Sequence, residues 1–405
     1  MHVLVLDTIH GGKEIGSAYA DAGHRVDAVD VYRGTTPSES QKAAHQHYDL
    51  IVAPVHLDPD HPLLQGRNVP VITHHEAVRR LLGNHLPHPM IEITGARGKT
   101  TTAHALASIL PGPGVLHTSI GTYTCPEQHL LFKKSITPAS EIAAVRAALR
   151  MSGWLVAETS LGVTGAGDLA IITSPDTYTF AGGKKNALGE KIASARSAKH
   201  LLVAENIACE GENVVRVSDV ARCEGMQCTV EWQGMTRILT NPLFLLPPYR
   251  TPLMLAAAAA MILNTSPAPL GQFSALPGRL STSWSGNRII VDNANSGTNV
   301  TTTLCAARYA RTCAGIDELT LVIGQEEGAG AVCEGFSSDQ IVAAIEQVRP
   351  AHVVWVGRYP EPGTILPEAF RGLVDAVCTT LEEGRTKALR IAGNGPIVLS
   401  VKTWR

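Results

Sequence analysis

The chain has 405 residues, of which 44% are hydrophobic and 17% charged, with 37 Gly and 24 Pro; this is a globular composition with room for two or three domains. Lys and Arg total 34 against 36 Asp and Glu, a formal net charge of -2, so no basic field points to nucleic acid or to an anionic membrane surface. The longest apolar run, 253–263, has 11 residues where a membrane-spanning helix needs about 20.

No basic segment precedes a long apolar stretch after Met1, and the eight cysteines contain no C-x-x-C pair. A cytoplasmic protein without a secretory signal, a disulfide framework or a structural zinc is therefore expected, and nothing evident calls for an obligate protein partner.

In chain order, strand signals at 3–7, 25–31, 50–55 and 69–73 alternate with polar stretches long enough for crossover helices, which predicts a small parallel sheet. A Pro-containing segment at 84–89 separates it from a second unit with strands at 91–94, 155–158, 170–173 and 201–204. After an Ala-rich helix at 254–263, the Pro- and Ser-rich stretch 264–270 reads as a second linker. The last unit alternates again: strands at 289–292, 319–323, 353–356 and 397–401, with helices through 304–310 and 339–348. The expected domains are 1–88, 89–268 and 269–405.

The strongest chemical signal is Ile93-Thr94-Gly95-Ala96-Arg97-Gly98-Lys99-Thr100-Thr101-Thr102. An apolar strand runs into a glycine turn and a helix begins at Lys99, so backbone N–H groups and the positive end of the helix dipole converge on one point. That arrangement suits a phosphate chain, with Lys99 reaching the β/γ-phosphates and the Thr100 hydroxyl on Mg²⁺. The spacing is shorter than the usual P-loop, because Ile93 stands five residues before Gly98. Next, the apolar run 154–157 delivers Glu158 at a strand's carboxyl end; a carboxylate there is either a magnesium ligand or a cap on helix amides.

These residues resemble the Mur ligase family: I-T-G-x-x-G-K-T-T-T, Thr137-Pro138, the strand ending in Glu158, Gly278-Arg279 ahead of a strand ending in Asp292, and Asn293-Ala294-Asn295. The similarity runs from about residue 89 to the end, with Val398-Leu399-Ser400-Val401-Lys402 similar to the family's closing strand. It implies an α/β fold in three domains: a parallel-sheet substrate domain, a central P-loop ATPase and a Rossmann-like C-terminal domain. It also implies an enzyme that uses ATP and Mg²⁺ to turn a carboxylate into an acyl phosphate for attack by a nucleophile.

By position, the resemblance makes Gly95, Ala96, Arg97, Gly98, Lys99, Thr100 and Thr101 the phosphate loop, and Thr100 with Glu158 the metal ligands. Lys191 matches a lysine that is carbamylated in several members, with a solvated helix lysine as the alternative. Arg279, Asp292 and Asn295 match residues serving the nucleotide from the third domain. Three positions depart from the pattern. Thr173-Ser174-Pro175-Asp176-Thr177-Tyr178-Thr179 lacks the family histidine, Leu253 falls near the place of the adenine-side asparagine, and Lys402-Thr403-Trp404 replaces the closing K-G-S.

Eleven of the 16 histidines precede residue 89, and Asp7-Thr8-Ile9-His10-Gly11-Gly12 follows the first strand. The opening VLVLDTIHGGKEIG and the run DAVDVY at 27–32 resemble one branch of the family, from methanogenic archaea, that acts on a small-molecule nickel tetrapyrrole. This resemblance implies ATP-dependent closure of a carbocyclic ring, with Thr8, His10, Gly11, Gly12 and Thr137 as candidate substrate contacts. An amide ligase on the same scaffold, or a nucleotide-dependent regulatory module, is the alternative.

Overall fold

A strand covered on both faces needs apolar residues in succession rather than alternation, and His2–Leu6 meets this with four consecutive buried residues. It lies inside a four-stranded parallel sheet between Arg25–Val29 and Leu50–Ala53, with Val71–Thr73 on the far side of the latter. Helices Gly12–Asp21, Pro37–His45 and His74–Leu82 accompany the sheet. Val3, Val5, Ile15, Val52 and Ile72 pack one face, and Leu4, Leu6, Tyr48, Ile51 and Leu63 the other. The computed structural model describes residues 1–32, 37–326, 335–358 and 374–403; Cys333 and Trp404 lie outside them. The remaining seven cysteines are free thiols.

A second sheet has eight strands in the order Val214–Arg216, His200–Val203, Leu169–Ile172, Met90–Thr94, Trp154–Glu158, Gly114–Thr118, Gly121–Cys125 and Leu130–Phe132. The first six run parallel and the last two add an antiparallel edge. The four expected strands of this region all form, within two residues of the expected ends. The antiparallel edge and a meander of Ala221–Glu224, Gln227–Trp232 and Met235–Thr240 have no counterpart in the sequence reading. Met235–Thr240 explains why: five of its six residues are exposed, so it carries no hydrophobic period to detect.

The third sheet orders Ser281–Ser285, Arg288–Asp292, Ile397–Lys402, Thr320–Gln325, His352–Val356 and Val374–Cys378, parallel except for the first pair. Ile397–Lys402 is buried throughout and central, as expected of a closing strand. Helix Val300–Ala314 starts at a reciprocal Asn299–Thr302 cap, and Ser338–Val348 at a Ser337–Gln340 cap. Contacts divide the chain into two units, Met1–Leu245 with Tyr249–Phe273, and Leu246–Pro248 with Ser274–Arg405. The first unit holds the first two sheets and the second holds the third. No helix among the described residues is long and apolar enough to cross a membrane.

Beneath the second sheet's central strand lies a pair of fully buried carboxylates. Glu92 accepts from the Thr164 amide and hydroxyl at 2.6 and 2.7 Å and from the Gly165 and Gly167 amides at 3.3 and 3.0 Å. Four such donors fix the backbone that follows Glu158. Glu141, on helix Pro138–Arg150, accepts from the Thr159 hydroxyl. Burial, then the neighbouring Glu92 charge, raises the Glu141 pKa well above its ordinary 4.5.

The folded protein thus keeps a proton on Glu141 that the unfolded chain releases above pH ~4.5, so stability from this group is lost as pH rises. Glu141→Gln keeps the Thr159 contact and removes the ionisation. Thermal melts across the pH range should show Tm of the native chain declining relative to Glu141→Gln as pH rises above about 4.5. Parallel curves would mean that Glu141 ionises in place.

Candidate functional site

In an open parallel sheet, ligands gather beyond the carboxyl ends of strands where the connections leave in opposite directions. Met90–Thr94 occupies that position, flanked by Leu169–Ile172 and Trp154–Glu158. The three loops that follow these strands meet, and they carry most of the central residues singled out in the sequence.

Gly95 and Gly98 both have left-handed backbone, φ 147° and 85°. A Cβ on Gly95 would stand 2.1 Å from Thr173 Oγ1, so glycine is required by space as well as by conformation. Helix Lys99–Ala107 begins directly after Gly98, and its first turn leaves N–H groups with no partner inside the helix. Lys99 Nζ donates to Gly95 O at 3.0 Å and lies 3.7 Å from Glu158 Oε1. The Thr100 hydroxyl donates to Glu158 Oε2 at 3.0 Å, and the Ser119 amide donates to the same oxygen at 3.2 Å. Glu158 is only 2% exposed. The Glu158 carboxylate sits by the start of helix Lys99–Ala107, between the lysine and the threonine, and not on the first turn of a helix of its own.

Nucleotide phosphates and Mg²⁺ both fit this donor set. Thr100 and Glu158 present hard oxygen atoms close together, the type of ligand that Mg²⁺ takes, and the helix that starts after Gly98 offers N–H groups of the kind phosphate oxygens accept from. Ala96 and Arg97, by contrast, have amides that donate to Ser174 Oγ at 3.2 and 3.3 Å. Arg97 also makes a two-point ion pair with Asp176, Nε to Oδ2 at 3.1 Å and Nη2 to Oδ1 at 2.5 Å, and Thr173 donates to Arg97 O at 2.5 Å. The segment 173–176, in the sequence only a departure from the family pattern, is what braces the glycine turn. Nothing local announces this role, since the partners lie more than 75 residues apart.

Lys191 is buried, 2% exposed, on helix Ala187–Ala195, whose start Asn186 caps by accepting from the Gly189 amide at 3.0 Å. Burial, with the nearby Lys99 charge second, lowers its pKa to about 8. Tyr178 places its ring 6.0 Å from the ammonium, within the segment that lacks the family histidine. A solvated helix lysine does not describe this residue.

On the first sheet, the turn after Asp7 reaches the start of helix Pro138–Arg150 through Gly11. A Cβ on Gly11 would stand 2.6 Å from Ala139 Cβ and 3.1 Å from Thr137 Oγ1, and one on Gly12 would collide with Asp7 O. Gly11 therefore meets Thr137, whereas Gly12 packs back on Asp7 and Val5. His10 Nδ1 lies 2.8 Å from Asp7 Oδ2. His75, two residues past the strand Val71–Thr73, approaches Ser160 O at 3.1 Å, which ties this edge to the loop after Glu158. Burial lowers the pKa of His74 and His75 to about 4, so both are neutral.

In the second unit, Gly278 has φ 71° and lies against Ala294 O. Asn295 Nδ2 donates to Gly278 O at 2.6 Å, and Asn295 Oδ1 accepts from the Gly297 amide at 2.7 Å, so this side chain shapes its own turn. Asp292 Oδ1 accepts from the Ala294 amide at 3.0 Å, and the Arg279 amide donates to Leu276 O. Leu253 is fully buried.

Residues 282–403 match the family model described as coenzyme F430 synthetase CfbE, C-terminal domain. Coenzyme F(430) synthetase of Methanosarcina acetivorans is 29% identical over 476 aligned positions, 99% of this chain and 98% of the relative. The enzyme of that name from Methanocaldococcus jannaschii is 27% identical over 222 positions, 49% and 50% of the two chains. Among solved structures, the UDP-N-acetylmuramoylalanyl-D-glutamyl-2,6-diaminopimelate–D-alanyl-D-alanyl ligase of Acinetobacter baumannii superposes with a TM-score of 0.58 at 14% identity, covering 92% and 85% of the chains. E. coli FolC in complex with DHPP and ADP gives 0.56 at 16% identity, covering 81% and 89%. The fold is the three-domain α/β architecture of these ligases, the resemblance read from the motifs holds, and the protein is an enzyme.

Lys99→Ala should leave the fold intact, because glycines and Ser174 shape the loop, and should lower turnover on the order of 10²–10³-fold. Full activity in the folded variant would remove Lys99 from the chemistry. Glu158→Gln keeps the Thr100 contact but loses the charge that a hard cation prefers. Its activity should fall and partly recover as Mg²⁺ is raised; a Mg²⁺ dependence equal to the native one would make Glu158 a purely structural acceptor.

Proposed function

We propose that this enzyme is an ATP-dependent coenzyme F430 synthetase. In this reading it activates a propionate carboxylate of a nickel seco-tetrapyrrole as an acyl phosphate and closes a six-membered carbocycle. The observation that carries the reading is the meeting of Lys99, Thr100 and Glu158 at the end of the central strand, in a chain similar over its whole length to a protein of that name.

In the first step a carboxylate oxygen attacks the γ-phosphorus of ATP and ADP leaves. In the second, a ring carbon gives up a proton, its electron pair forms the bond to the acyl carbon, and phosphate leaves with the carboxylate oxygen. Lys99 neutralises phosphate charge as it moves to the bridging oxygen, and the glycine turn and helix start orient the phosphate chain. Thr100 and Glu158 would hold Mg²⁺, which supplies further neutralisation of phosphate charge. Lys191, with its lowered pKa, is a candidate for carbamylation near the same charges.

Residues 1–88 would form the substrate domain, with Thr8, His10, Gly11, Gly12 and Thr137 at the tetrapyrrole. Residues 89–268 would form the ATP domain, and Arg279, Asp292 and Asn295 of 269–405 would serve the nucleotide.

The purified protein, incubated with ATP, Mg²⁺ and the nickel seco-acid, should yield the carbocyclic ketone with one ADP and one phosphate per product. Conversion of a carboxylate to an amide when amino acids are supplied, with the seco-acid untouched, would replace this reading by an amide ligase. Phosphate release without any organic product would favour a regulatory module.

A further inference from the structure

The first sheet carries a side-chain cluster that the ATP chemistry does not use. Asp7 follows the strand His2–Leu6 with left-handed backbone, φ 73°, and is fully buried. Its Oδ1 accepts from the Ile9 and His10 amides at 2.9 and 3.1 Å. Its Oδ2 faces His10 Nδ1 at 2.8 Å and His56 Nε2 at 3.9 Å. Among the described residues these two imidazoles are its ion-pair partners, and no Lys or Arg joins them.

The three residues come from turns after neighbouring parallel strands, the edge where open sheets bind ligands. Tyr32, after a third neighbouring strand, stacks on His56 with centroids 5.3 Å apart at 18° and meets His10 edge-on at 5.5 Å. The imidazoles are thereby held in orientation before anything binds.

One potential ligand atom from each residue lies within 4.8 Å of the others. Around a tetrahedral ion with bonds of about 2.0–2.2 Å, ligand atoms stand roughly 3.3 Å apart, and the 2.8 and 3.9 Å separations bracket that value. With Oδ1 committed to backbone amides, Oδ2 is the oxygen available, which is how a carboxylate is fixed as a one-point ligand. Two imidazoles and one carboxylate suit Co²⁺, Ni²⁺ or Zn²⁺ and suit Mg²⁺ poorly.

We propose that Asp7, His10 and His56 form a binding site for a divalent first-row transition ion, with a further coordination position open to solvent beside His10, whose side chain is 49% exposed. The ion takes the place of the proton shared between Asp7 Oδ2 and His10 Nδ1, and that proton passes to solvent. The open position suits a water or an incoming carboxylate.

The test uses the full chain, stripped with chelator and titrated with Co²⁺ alone, without ATP or tetrapyrrole, so that failure here leaves the ligase reading untouched. Visible Co²⁺ bands should rise to one ion per chain, be quenched by Zn²⁺ or Ni²⁺, and persist in excess Mg²⁺. His10→Ala and His56→Phe, the latter keeping a ring for Tyr32 to stack on, should each weaken the ion by at least about tenfold. Melting curves of the metal-free variants separate lost ligation from lost fold. Absence of the bands, their displacement by Mg²⁺, or unchanged affinity in the folded His10→Ala/His56→Phe double variant would overturn the proposal.

Discussion

Glu158 places a carboxylate at the end of a buried strand, 2% exposed, with a lysine 3.7 Å away and a threonine hydroxyl at 3.0 Å. Burying such a group without partners is costly, and the site is arranged around supplying them. The glycine turn brings Lys99 and Thr100 within reach, the Ser119 amide adds a third contact, and the Glu92 network fixes the chain that follows. A bound cation would take over part of this work, which links the stability of the loop to its chemistry.

The same principle recurs on the neighbouring sheet. Asp7 is also a buried carboxylate at a strand end, but its partners are two backbone amides and two imidazoles instead of a lysine and a hydroxyl. Hard oxygen donors in one place and imidazole nitrogens in the other would separate two kinds of cation by ligand type. His75, reaching from the first sheet to Ser160 O, joins the two edges within one compact unit.

The glycine turn between strand and helix was legible because its information is local: a strand, two glycines at fixed spacing and a helix start lie within ten residues. The parallel strands were legible because burial on both faces leaves apolar runs, as in His2–Leu6 and Trp154–Glu158. The exposed meander and the antiparallel edge leave no such runs. Contacts between distant segments were not legible either. Ser174 and Asp176 brace Arg97 across more than 75 residues, and Glu141 meets Glu92 across a helix and three strands. Lys191 stood out only by family position, and its burial is visible only once Ala187–Ala195 is placed in the fold.

The central claim is that this site converts a carboxylate into an acyl phosphate with ATP. Oxygen-18 in the reacting propionate of the nickel seco-acid tests it most directly, because the displaced phosphate must then carry one oxygen from the carboxylate. The account predicts one labelled oxygen in the phosphate released per ring closed; unlabelled phosphate alongside full ring closure would contradict it.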